Sequence, residues 1–218
     1  MTSSPPSVGW RRGDDRLWLI PSIIVITVWS YIGHLDFATW VFEIIVGLLF
    51  LCVLIAAYPR FRFARVIYIV ALVHYLVLAI GGKYTYSESP VGAWMQDLLS
   101  LERNPFDRIG HFMQGFTPAI VVRELLLRRT LLHRGWALRW IIISISLAFS
   151  AFYELLEWWM VIFFYPDVGP EWLGHQGDPF DAQADMLMAI LGALLAMVLL
   201  SGLQDRQMSS AGHFGLED

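Results

Sequence analysis

The chain has 218 residues, of which 57% are hydrophobic and only 16% charged, with a net charge of −4 and a mean hydropathy of +0.57. Soluble domains carry about 25% charged residues, so this composition points to an integral membrane protein, and the lack of a basic patch argues against nucleic-acid binding. The single cysteine, Cys52, sits in an apolar run; it permits no intrachain disulfide, redox pair or Cys-rich metal site.

The first residues, 1–16, are polar, with Pro5, Pro6, Asp14 and Asp15. The two aspartates are unlike the basic start of a secretory leader, so the apolar run Leu17 to Gly33 is expected to be a retained first span. A membrane-crossing helix needs roughly 20 mostly apolar residues. Six such stretches are predicted, at about 17–34, 37–58, 64–82, 105–127, 138–165 and 180–203, making 17–203 a membrane domain followed by a polar tail at 204–218. The expected fold is an all-α polytopic transmembrane bundle. The fourth stretch is the least hydrophobic, being interrupted by Asp107, His111, Gln114, Arg123 and Glu124, and belongs inside the bundle rather than against lipid.

Orientation follows from the basic residues. With both termini cytoplasmic, only Lys83, Arg103 and Arg108 of the 15 Lys and Arg fall outside, while the outer segments carry Asp36, Glu88, Asp97, Glu102, Asp167 and Glu171. Two outer loops stand out. Gly82 to Asn104 contains the segment 83–90 and a predicted short amphipathic helix at 92–101; Pro166 to Asp178 is rich in Gly and Pro. Both are placed to cap a site from outside.

A tetrapeptide recurs: Asn104-Pro105-Phe106-Asp107 opens the fourth span and Asp178-Pro179-Phe180-Asp181 the sixth. Asn or Asp as N-cap with proline at the first helical position explains the start, and puts each aspartate where the helix dipole favours it. Capping does not explain the residue four further on, His111 or Asp185, on the same helix face. Glu154 and Glu157 likewise share a face of the fifth span. At 1.5 Å rise per residue, His111, Asp185 and Glu43 all lie ~9 Å below the outer ends of their helices, and His74 lies near the midplane. Charges converging at one depth in hydrocarbon need partners, an ion or a water-filled cavity.

Asp107, His111, Glu154, Asp178, Asp181 and Asp185, with His74 deeper, are therefore the candidate ligands of a divalent metal ion, Zn, Mn or Fe by their carboxylate and imidazole donors. Glu157 is the candidate general base, and Tyr84, Tyr86 and Glu88 the candidates for closing over a substrate. Tyr84 and Tyr86 also suit an interfacial aromatic belt with Trp94, Trp158, Trp159 and Trp172. A bis-His haem on His74 and His111 is disfavoured, because acidic groups would crowd the propionates. Three functions remain open: a metal-dependent enzyme acting on a lipid or lipid-linked substrate, a proton- or divalent-cation-linked transporter, and an assembly protein whose polar network sets helix register. The sparse polar residues of the inner half argue for a one-sided site.

Several stretches together resemble the YjdF-like family of bacterial inner-membrane proteins. They are Tyr84-Thr85-Tyr86-Ser87-Glu88, the run from Asp107 to Phe116, Arg123-Glu124, Tyr153-Glu154 with Glu157-Trp158, and Gly177-Asp178 with Asp181, Gln183, Asp185 and Met186. The resemblance extends from about His74 to Gly192. It implies a multi-span protein of the bacterial inner membrane, surrounded by membrane lipids, and carries no particular activity with it.

Overall fold

The least apolar long helix of the chain is also the most enclosed. In the computed structural model, which describes residues 13–164 and 175–210, seven α-helices and no strand are found among the described residues. They are α1 (Arg16–Tyr31), α2 (Phe37–Ala57), α3 (Arg65–Tyr84), α4 (Pro90–Leu99), α5 (Phe106–Arg129), α6 (Trp136–Phe164) and α7 (Asp181–Ser210). Helix α5 packs against α3, α6 and, most extensively, α7; α3 in turn carries α1 and α2 on its far side.

Four of these, α2, α3, α6 and α7, are long and apolar enough to cross a membrane. The two other expected spans differ for separate reasons. Helix α1 has 16 residues, because the chain turns through the left-handed Gly33 (φ 73°) soon after Tyr31. Helix α5 has ample length, 24 residues, but its buried side includes Asp107, His111, Arg123 and Glu124. The most apolar helices are the least covered: 28% of the apolar window of α2, and 22% of those of α6 and α7, are buried. Leu49, Val53, Phe149 and Val198 stand exposed on that outer surface. So broad an apolar face requires a non-aqueous solvent.

Helix starts are chemically explicit. Asp36 caps α2 by accepting from the Thr39 N–H at 2.7 Å, and Ser89 caps α4, whose Pro90 opens the helix at 90 rather than the expected 92. The repeated tetrapeptides work differently from the expected cap. Asn104 Oδ1 accepts from the Phe106 N–H (3.0 Å) and Asp178 Oδ1 from the Phe180 N–H (2.9 Å), so each bonds two residues ahead and the helices begin at Phe106 and Asp181. Asp107 and Asp181 remain in the first turn.

Two glycines bring α5 and α7 together. A Cβ on Gly115 would run into the backbone carbonyl of Ala189, and one on Gly192 into that of Phe112. Ala189, Ala193 and Ala196 are fully buried at the same contact. Small residues allow this near-backbone packing. The face of α5 carrying Gly115 also carries His111 and Asp107, four and eight residues earlier; that of α7 carrying Ala189 carries Asp185 and Asp181. The crossing therefore sets the acidic ends of the two helices side by side.

Candidate functional site

His111 is the centre of the acidic end. It is 3% exposed, and its Nε2 lies 3.7 Å from Asp107 Oδ1 and 3.8 Å from Asp185 Oδ2. Its Nδ1 lies 3.5 Å from Glu154 Oε1 on α6. Neither Nδ1 nor Glu154 Oε1 has a hydrogen-bond partner, although both are buried. One donor atom from each of Asp107, His111 and Asp185 falls within 4.8 Å of the others. Buried polar atoms without partners are costly, and donor atoms separated like this around one point suit ligands of a shared cation better than hydrogen bonds, whose usual length is about 2.7–3.2 Å. The Tyr153 ring closes one side, edge-on to His111 at 5.9 Å.

Glu43 of α2 enters beside this group. It is buried, and its two oxygens accept from the hydroxyls of Tyr86 (2.8 Å) and Tyr153 (2.9 Å). Tyr86 reaches it by lying over Gly81 and Gly110, where a Cβ would stand 2.6 Å and 3.1 Å from the ring. Glu43 was legible as an acid at the right depth, yet its spacing pairs it with no second ligand on α2, so its tyrosine partners appear only in three dimensions.

Two arginines complete the acidic end. Arg108 pairs with Asp185, with Asp181 (2.8 Å) and with Asp178 (3.0 Å), and Arg103 pairs with Asp181 (2.9 Å) and Asp178 (3.3 Å). From sequence they read only as the exceptions to the inside-positive count. Their positions just before α5 (Arg103) and in its first turn (Arg108), in an otherwise acidic outer segment, were the available signal. Asp178 thus sits outside the His111 group, held by arginine. The loop over the site is tied down: Asn104 Nδ2 donates to the carbonyls of Ser87 (3.0 Å) and Ser89 (3.1 Å), and Asn104 and Gln176 exchange two 2.9 Å hydrogen bonds. Most of the second outer loop, with Trp172, lies outside the described residues.

Beneath that loop is a cavity of about 450 Å³, lined by Glu43, Tyr86, Glu88, Asp107, Glu157 and Asp181 among others. Of the sequence candidates, Tyr86, Glu88 and Glu157 therefore share one cavity with Asp107 and Asp181. Tyr84 is elsewhere: its ring meets Trp29 of α1 at 6.4 Å and takes Lys83 over its face. His74 is also apart. It lies in the wall of a second, deeper cavity beside Gln114, its Nε2 buried and without a partner.

A family described as "Predicted membrane protein (DUF2238)" matches residues 16–206. The chain belongs to this family. Its members' resemblance reaches across every helix just described, α1 through most of α7. The chain is 35% identical over 191 residues to the inner membrane protein YjdF of Escherichia coli (strain K12), covering 88% of this chain and 91% of that one. No solved structure gives a significant match. As a DUF2238 member the protein is an integral protein of the inner membrane, and the family-matched stretches supply Asp107, His111, Glu154 and Asp185 alike.

Proposed function

We propose that this DUF2238 protein crosses the inner membrane six times, with both termini in the cytoplasm, and is a divalent-metal-dependent enzyme acting on a lipid or lipid-linked substrate at the outer leaflet. The observation that carries the proposal is His111, buried with carboxylate oxygens facing both ring nitrogens and a hydrogen bond to none of them. Asp107, His111 through Nε2, and Asp185 are the ligands; three protein donors leave room for substrate or water. Glu154, facing Nδ1, orients the imidazole as partners of metal-bound histidines do. An ion held there, Zn, Mn or Fe, supplies Lewis acidity to a substrate oxygen. Glu157 is placed as a general base for a water in the shared cavity, where Tyr86 and Glu88 would bind the substrate, and the tied loop keeps bulk water out.

Elemental analysis of the purified protein tests this, with wild type beside His111→Ala and Asp185→Asn. The expected result is a near-stoichiometric transition metal in wild type that is lost in both variants. A folded, metal-free wild type overturns the proposal.

The arginine pairs favour a second reading, in which the acidic end is a structural ion network. Arg108 and Arg103 compensate Asp178, Asp181 and Asp185 without any ion. That reading expects Asp107→Asn, whose carboxylate neither arginine pairs with in this way, to be silent in stability and in metal content.

A further inference from the structure

The inner end of the bundle holds a cavity that the site around His111 does not use. It lies between the start of α6 and the second half of α7, with Arg123 of α5 in its wall, and has a volume of about 480 Å³. It shares no lining residue with the cavity under the outer loop.

Its two ends differ in chemistry. Toward the middle of the helices the wall is Ile142, Leu194, Met197 and Val198. Val198 and Leu194 are 78% and 41% exposed on the apolar outer surface, so this part of the wall continues onto the face turned to the bilayer. A polar occupant loses hydration there without finding a partner, whereas a hydrocarbon loses nothing. Leu194 and Asp205 stand eleven residues apart on α7, or ~16 Å, room for a head group and the upper part of one acyl chain. The volume is within the usual range of ligand cavities, about 300–1,000 Å³.

Toward the inner ends of the helices the wall is basic. Arg123, Arg134 and Arg139 line it, and Asp205 is the one acid among the described lining residues. Asp205 pairs with Arg123 at 2.9 Å and with Arg134 at 3.1 Å. Arg139 has no ion pair and no side-chain hydrogen bond among the described residues. Three guanidinium groups against one carboxylate leave this end with a net charge of +2. Gly135, just before α6, has no side chain to cap the first turn, so the positive end of the α6 dipole adds to the same charge. An anion is favoured here and an ammonium group repelled. Charge at the inner surface with hydrocarbon toward the midplane is the order of a phospholipid in a leaflet, and basic pockets between membrane helices on this side take anionic head groups.

We propose that this cavity binds one anionic phospholipid of the inner leaflet, its phosphodiester against Arg134 and Arg139 and one acyl chain along Leu194, Met197 and Val198. Arg123, held by Gln204 and Asp205, supplies charge from within the wall. The proposal takes from the reading above only which side is inner, and no metal takes part. The delipidated full-length protein in detergent is titrated with phosphatidylglycerol and with phosphatidylethanolamine of identical chains, and bound lipid is read by native mass spectrometry. One phosphatidylglycerol per protein is expected, preferred about tenfold. Arg134→Gln with Arg139→Gln should remove the preference. Arg60→Gln with Arg129→Gln takes the same charge from inner-side residues that do not line the cavity, and should leave the preference intact. Ser201→Phe keeps every charge but fills the cavity, and should lose the bound lipid. Equal binding of the two lipids by wild type, equal loss of preference in both arginine pairs, or lipid binding indifferent to Ser201→Phe overturns the proposal and leaves only surface attraction. Should the cavity double variant or Ser201→Phe fail to fold, Arg139→Gln, which breaks no internal contact, decides: its preference should fall about fivefold, and an unchanged one overturns the proposal. Metal content, read in the same samples, should not change, which separates failure here from failure of the His111 site.

Discussion

Buried charges in this protein are placed where helix ends can compensate them. Lys83 sends its ammonium to the carbonyls of Trp29 (3.2 Å) and Ile32, at the negative end of α1, and lies over the Trp29 ring. Glu124, fully buried on α5, accepts from the Ala64 N–H that opens α3 and from Arg128 at 2.7 Å, and Gln204 of α7 donates to it. Arg123 and Glu124 were readable as a polar pair near the inner end. Their partners Gln204 and Asp205, some 80 residues on, were not, because no local spacing joins them. Outside the spans the same logic is testable at Asp36. The Thr39 N–H it caps holds its carboxyl below the ordinary carboxylate value. A depressed folded pKa means the stabilisation is complete above the unfolded pKa and lost as pH falls through the folded one. Asp36→Ala should therefore cost about 1 kcal/mol at neutral pH, a difference that closes in acid. Thermal melts of the two proteins across pH check it; a gap that persists in acid would show that the cap acts without its charge.

At the scale of elements, the contact between α5 and α7 decides whether a site exists. Asp107 and His111 are brought to Asp185 only because Gly115 and Gly192 let the two backbones touch. Gly192→Leu must push against the Phe112 carbonyl, which cannot rotate away as a side chain can. We expect it to cost ~3 kcal/mol or more and to abolish metal retention. Gly202→Leu, on the same helix with nothing within 4 Å, should be silent in both. Melting temperature and metal content of the two variants give the comparison, and equal behaviour would mean that the crossing does not position the ligands. Periodicity announced both acidic faces, since i, i+4 spacing is local. It left unsaid that Gly115 and Gly192 answer one another, which depends on the crossing angle and register of two helices.

For the molecule as a whole, polarity is distributed inside out: α5 is least apolar and innermost, while α2, α6 and α7 turn apolar surface outward. The proposed topology puts His34 and Ser87 outside and Thr130 and Ser209 inside. In a Cys52→Ser background, cysteines at His34 and Ser87 should react in intact cells or spheroplasts with an impermeant maleimide, and those at Thr130 and Ser209 only after lysis. Labelling of Thr130→Cys from outside would sink the assignment of α5 as a span.

What the chain determines by itself is what depends on neighbours in sequence and on the solvent. Hydropathy dictates an all-helical membrane protein, because lipid leaves each backbone N–H and C=O to be satisfied within its own helix. Four-residue spacing dictates which acids share a face. The tertiary structure alone decided that His111 lies between Asp107, Asp185 and Glu154, that Arg103 and Arg108 pair with the acids of α7, that Tyr84 leaves the site for Trp29, and that Glu43 bridges two tyrosines. Apart from the Asp107–His111 pair within α5, each of those joins residues on different helices or on the loops between them, and which elements meet, in what register, is settled by close packing of side chains distant in the chain.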